Sequence, residues 1–119
     1  MKEKNEIQTA ALTLAQAAFD KKGSDITILD LEGLSTLTDF FVVASASNSK
    51  QAQSIADEIE DKGAEIGFTV LHREGYHEGD WILLDFGDMI CHVFSGESRD
   101  FYGLESLWKD AKVVPFEGK

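Results

Sequence analysis

The run DFFVVAS, Asp39 to Ser45, constrains the fold of this chain more than any other stretch, because it lacks polar alternation. A strand with one wet face alternates apolar and polar residues, whereas a continuous β-forming run marks a strand covered on both faces. The run therefore predicts a sheet with packing layers on either side of its middle.

Helix-period patterns flank that strand and supply the layers. Ile7, Ala10, Ala11, Leu14, Ala17 and Ala18 recur at the spacing of one helical face. Asn5 with Gln8 reads as a capping box at its start, and Lys21, Lys22 and Gly23 as its cationic, left-handed end. Ile26 to Leu31 alternates like a strand, and Glu32 to Leu37 reads as a loop. After Ser45, Ser47, Asn48 and Ser49, a second stripe runs through Ala52, Ile55, Ala56, Ile59, Gly63 and Ile66, with Asn48 and Gln51 at capping-box spacing.

Further strands are predicted at Phe68 to His72 and on both sides of Gly87 between Trp81 and Phe94, after a GYHEGD loop. Phe101, Leu104, Leu107, Trp108 and Ala111 share one face of a helix predicted from Arg99 to Ala111. Lys112 to Phe116 reads as an edge strand, where Pro115 is tolerated. The order α-β-β-α-β-β-β-α predicts an α/β domain, a mixed sheet packed with helices, and 119 residues are enough for one such domain over 1–119.

Charge limits the partners. Asp and Glu number 22 against 11 Lys and Arg, a formal charge of −11, and no basic run interrupts it. Nucleic-acid affinity rests on cations that neutralise phosphates, so direct DNA or RNA binding is not expected. A basic protein is the electrostatically matched partner. No apolar run reaches membrane-span length, and the charged MKEKNEIQ start leads straight into a helical pattern without a signal core. Cys91 stands alone, so the expected setting is a reducing one, the cytoplasm.

The stretch WILLDFGDMICHVF, Trp81 to Phe94, carries the chemistry worth weighing. A two-residue loop at Phe86-Gly87 sets Asp85 opposite Asp88, a like-charge pair that calls for a cation, and forces Phe86 to positive φ. A three-residue loop from Asp85 to Gly87 needs positive φ only at the glycine and is the favoured register. It sets Leu84 against Asp88, Ile82 against Ile90 and Asp80 against His92, with Trp81, Leu83, Met89, Cys91 and Val93 on one face. Trp81 suits a core position and an interface anchor equally well.

Catalytic readings find less. Asp85 and Asp88 could hold metals for nucleotidyl transfer, but that chemistry also needs a phosphate grip, and the turn SASNSK has Ala46 and no glycine. His72, Glu74, His77, Glu78 and Asp80 lack zinc-site spacing and read as a solvated loop, with a metal as the alternative. His92 reads as a structural histidine, and Cys91 as an inert thiol raised in pKa by apolar surroundings. No catalytic residue, metal or cofactor is assigned.

Four segments together carry a likeness: TDFFVVAS, SNSKQAQSIADEI, GDWILLDFGDMICHVF and SRDFYGLESLW. In this order they resemble the ribosomal silencing factor (Iojap-like) family over nearly the whole chain. The resemblance implies a nucleotidyltransferase-like fold without that activity, binding to the large ribosomal subunit through its protein fourteen, and obstruction of small-subunit joining when nutrients are scarce. It also implies a homodimer. On this carry-over Trp81 is the anchor, Leu83 and Phe86 are its apolar neighbours, and Asp85 and Asp88 face the basic ribosomal protein. Ala46 stands where many relatives carry glycine. The rival is a metal-dependent nucleotidyltransferase-type enzyme using Asp85 and Asp88.

Overall fold

The run predicted to be covered on both faces forms β2, Phe40–Ala46, and six of its seven residues are buried. The computed structural model describes residues 3–107 and 109–118, apart from the side chains at 105 and 107. In chain order the elements are α1 (Lys4–Asp20), β1 (Ser24–Asp30), β2, α2 (Ser49–Glu65), β3 (His72–Glu74), β4 (Trp81–Asp85), β5 (Met89–Ser95), α3 (Ser98–Tyr102), α4 (Leu104–Leu107) and β6 (Lys112–Val114). The strands make one mixed sheet in the order β3-β4-β5-β2-β1-β6. Its β2–β5 pair is parallel, and the other neighbours run antiparallel.

Period-two alternation divides the sheet into two faces. Phe40, Val42, Ala44 and Ala46 of β2, with Ile82, Leu84, Met89, Cys91 and Val93, meet the buried stripes of α1 and α2. Leu29, Phe41, Val43 and Phe94 point the other way, into a smaller cluster closed by Leu31 and Leu104. The buried stripe of α1 is largely alanine. Small side chains bring that helix close to the sheet, and Ile55 and Ile59 of α2 supply bulk beside it.

The helix ends follow local chemistry with some changes from expectation. Asn48 Oδ1 accepts from the Gln51 amide at 2.8 Å. The Gln51 side chain reaches back to the amide of Ser47 at 2.6 Å, one residue earlier than a capping box requires. Its amide group also donates to the carbonyls of Lys21 and Lys22, tying the start of α2 to the end of α1. At α1 the expected box does not form: the cap is Glu3 without a side-chain bond, and Asn5 lies inside the helix. The left-handed residue at its end is Lys22, with φ +66°. Gly23 instead donates to Ala18 O at 2.9 Å, completing the six-to-one bond of a Schellman end.

Two elements differ from the sequence reading. Phe68 belongs to the end of α2, because its amide returns to Gly63 O at 2.8 Å and its ring joins the helix-side core. The strand expected at 68–72 therefore begins at His72. The helix expected from Arg99 to Ala111 is broken at Gly103, which takes φ +60° and donates to Arg99 O at 3.0 Å, ending α3. Phe101 consequently lies outside the packed stripe, at 82% exposure, while Leu104 is buried. The Leu107 side chain and Trp108, also assigned to that stripe, lie outside the described residues.

Candidate functional site

The β4–β5 hairpin turns on Gly87 and Asp88, not on either loop expected from the sequence. Phe86 N donates to Met89 O at 2.9 Å, closing a two-residue turn. Gly87, with φ +89°, takes its first central position. Gly87 would carry the positive φ in the three-residue loop too; what distinguishes the observed register is that it takes Phe86 out of the turn and buries it beside Gly63 of α2. Asp85 then faces Ile90, Leu83 faces His92 and Trp81 faces Phe94. The two aspartates are not cross-strand partners, and Asp80 does not face His92.

This register changes which residues share a face, since the side-chain period is two. Met89, Cys91 and Val93 join Ile82, Leu84 and Phe86 on the helix side. Trp81, Leu83 and Asp85 stand with Ile90, His92 and Phe94 on the other. Phe86, expected beside Trp81 in a partner contact, is only 6% exposed. The absence of a side chain at Gly63 of α2 makes its seat: a Cβ there would lie 2.7 Å from Cε1 of Phe86. Phe86 is a core residue, and its assignment as a contact is corrected.

The second face is where apolar side chains remain partly open. Trp81, Leu83 and Ile90 are each half-buried. Trp81 packs on Phe94 and on Tyr102 of α3, with ring centroids 5.2 and 4.7 Å away. Its indole N–H donates to Nδ1 of His92 at 3.0 Å. That bond leaves the proton of neutral His92 on Nε2, which is buried without a hydrogen-bond partner among the described residues, while the imidazole stands edge-on to the Phe41 ring at 4.5 Å between centroids. Burial pushes the His92 pKa down to about 4, so the imidazole is neutral at ordinary pH and serves as an acceptor for the Trp81 indole. Cys91, enclosed on the helix side, has its thiol pKa pushed up by the same desolvation.

Acidic groups rim the open patch. Asp85 Oδ1 accepts from Gly87 N at 2.8 Å and so steadies the turn. Asp88 sits on the turn itself, half-buried, and its carbonyl accepts from Asp39 N at 3.1 Å. At the sheet edge, His72 Nε2 lies 3.4 Å from Glu74 Oε1. Among the described residues no three His, Cys, Asp or Glu side chains gather as a metal site, and this covers the loop with His77, Glu78 and Asp80.

A residue missed in the sequence fixes the cover over one end of this face. Arg99 of α3 donates to Ser45 Oγ at 2.8 Å and Thr27 Oγ1 at 3.2 Å, and also to the carbonyl of Asp25. It thereby clamps α3 to the irregular start of the β1–β2 pair, where Asp25 has φ +48°. Its place at the head of the SRDFY segment was visible, but nothing local pointed to acceptors more than fifty residues away.

Comparison with known proteins agrees with this architecture. Residues 4–119 match the family model described as "Ribosomal silencing factor during starvation". The chain is 41% identical to the ribosomal silencing factor RsfS of Bacillus subtilis over 111 residues, covering 92% of this chain and 94% of the relative. It is 33% identical to the chloroplastic protein Iojap of Zea mays, over 94% of this chain and 50% of that longer protein. A crystal structure of protein CV0518 from Chromobacterium violaceum superposes with a TM-score of 0.84 at 32% identity, covering 95% of this chain and 93% of that one. A structure from Bacillus halodurans gives 0.78 at 34%, covering 94% and 99%. With fold, length and sequence agreeing from α1 through β6, the chain belongs to the ribosomal silencing factor family.

Proposed function

We propose that this chain represses translation by docking on the large ribosomal subunit, through the basic large-subunit protein fourteen, and blocking the joining of the small subunit when nutrients are scarce. One observation carries the reading. On the sheet face turned away from α1 and α2, Trp81 stands half-buried and oriented by His92, beside the half-open Leu83 and with Asp85 and Asp88 at the rim. A fixed aromatic anchor with apolar neighbours and a charged rim is the usual anatomy of a protein interface. Acid groups on a chain of net charge −11 suit a basic ribosomal protein better than bare RNA.

Occlusion needs no catalytic group, so the proposed activity is that of a cytoplasmic binding protein rather than an enzyme. Homodimerisation is the assembly the family resemblance implies, and it is compatible with one docking face per protomer. The test is light scattering of purified small and large subunits, with and without the protein. A dose-dependent loss of joined ribosomes supports the reading. Unchanged joining in the presence of bound protein overturns the occlusion step. A rise in melting temperature with magnesium and a nucleoside triphosphate would instead favour the nucleotidyltransferase alternative.

A further inference from the structure

The SRDFY segment carries Phe101, a large aromatic that neither the fold nor the docking contacts account for, beside Tyr102, which packs on Trp81. Phe101 is 82% exposed and Tyr102 47% exposed. Single exposed apolar side chains are ordinary, but these are continuous with the anchor. The Phe101 ring stands edge-on to Tyr102 at 5.2 Å, and Tyr102 lies 4.7 Å from Trp81. An aromatic row therefore runs from the sheet out onto α3.

Carboxylates accompany the row. Glu97 lies one helical turn before Phe101, whose amide donates to its carbonyl at 3.0 Å, and Asp100 immediately precedes the ring. Both are exposed. Arg99, the one cation between Glu97 and Leu107 in the sequence, donates to Ser45 Oγ, Thr27 Oγ1 and the carbonyl of Asp25. This short segment thus carries exposed aromatic side chains and two exposed acidic residues within five positions of one another. A guanidinium matches both parts, stacking its plane on the ring and meeting carboxylates with its N–H fork.

We propose that Phe101, Tyr102, Glu97 and Asp100 form a subsite that takes an arginine side chain of the basic protein on which the chain docks. The subsite rests on the docking reading above and extends it beyond the sheet face. In energetic terms it is a second, outlying contact that pins the orientation of the partner already held at Trp81.

The experiment is binding kinetics on immobilised large ribosomal subunits with the native chain, Phe101→Ala, Phe101→Leu, Phe101→Tyr, the double variant Glu97→Gln/Asp100→Asn, and Trp81→Ala. Thermal melts accompany each variant, and the exposed position of Phe101 predicts native melting for its variants. Phe101→Ala and Phe101→Leu should weaken binding by about tenfold, as expected of a partly desolvated cation–π contact, while Phe101→Tyr binds like the native chain. The double carboxamide variant should associate more slowly and with a shallower salt dependence. Native binding by Phe101→Leu overturns the subsite, because the contact is then merely apolar. Native binding by Phe101→Ala overturns it while leaving docking intact, provided Trp81→Ala fails to bind. If Trp81→Ala also binds like the native chain, the docking face itself falls. Phe101 variants that leave subunit binding unchanged but dissociate a dimer in sedimentation assign the surface to a second copy, and the subsite is lost.

Discussion

The indole N–H of Trp81 on β4 and Nδ1 of His92 on β5 are 3.0 Å apart, a hydrogen bond that runs diagonally across the hairpin, since His92 is paired with Leu83. Together with packing on Phe94 and Tyr102, this bond fixes the rotamer of a large half-buried aromatic. An anchor held in place before its partner arrives loses less side-chain entropy on binding.

Trp81→Phe keeps the aromatic mass and removes the donor, leaving a buried imidazole nitrogen without its partner. Stability should fall by about 1–2 kcal/mol, the cost of an unmet buried polar group. Urea unfolding followed by circular dichroism reads this as a lower midpoint with an unchanged slope. An unaltered midpoint would mean that the bond contributes nothing.

His92 also sets a pH dependence whose sign follows from burial. Its pKa is about 4 in the folded chain against an ordinary 6.5, so between these values the unfolded chain binds the proton more readily. The contribution is fully present above the ordinary value and is lost as pH falls through about 4. The slope approaches about 1.4 kcal/mol per pH unit inside that window. His92→Gln removes the titrating group, and melting temperatures between neutral pH and the acid limit should fall less steeply for that variant than for the native chain.

Gly63→Ala places a methyl group 2.7 Å from Cε1 of Phe86 and 3.1 Å from the carbonyl oxygen of Phe68. Alanine is the better helix former by about 1 kcal/mol, but the crowding of a packed ring should outweigh that, with a net loss of about 1–2 kcal/mol. Phe86→Leu in the same chain should recover part of the loss. Additive losses in the double variant would show that the two sites do not touch.

Asp88 lies on the hairpin turn; as a rim charge of the proposed docking face, Asp88→Asn should slow association with large subunits and reduce its salt dependence, leaving dissociation nearly unchanged. Stopped-flow or surface-based kinetics at two ionic strengths separates these effects. A change confined to dissociation would place Asp88 in the desolvated centre instead.

Much of the architecture was legible because single segments determine it. The unbroken apolar run of β2, the Asn48–Gln51 cap and the alanine-rich stripe of α1 each point to one local structure. The hairpin face was less legible, because it depends on parity. Turning on Gly87-Asp88 instead of Asp85-Phe86-Gly87 moves His92 and Phe94 beside Trp81 and sends Met89 and Cys91 to the helices. Both alternatives considered from the sequence put Phe86 in the turn, whereas Gly63 receives its ring from a distant helix. Gly103 misled in the opposite way: an apolar stripe continues past it in the sequence, but its left-handed backbone ends α3. Arg99 had no local signal, because its acceptors come from β1 and β2.

The most direct measurement is co-sedimentation with purified large ribosomal subunits of the native chain, Trp81→Ala and Leu83→Lys, each checked for folding by circular dichroism. Leu83→Lys places a cation on the half-open face toward a basic partner and keeps both members of the Trp81–His92 bond. Docking through this face requires that the native chain pellets with the subunits and that both folded variants stay in the supernatant. Folded variants that pellet as the native chain does would contradict it, and place the ribosome contact elsewhere on the molecule.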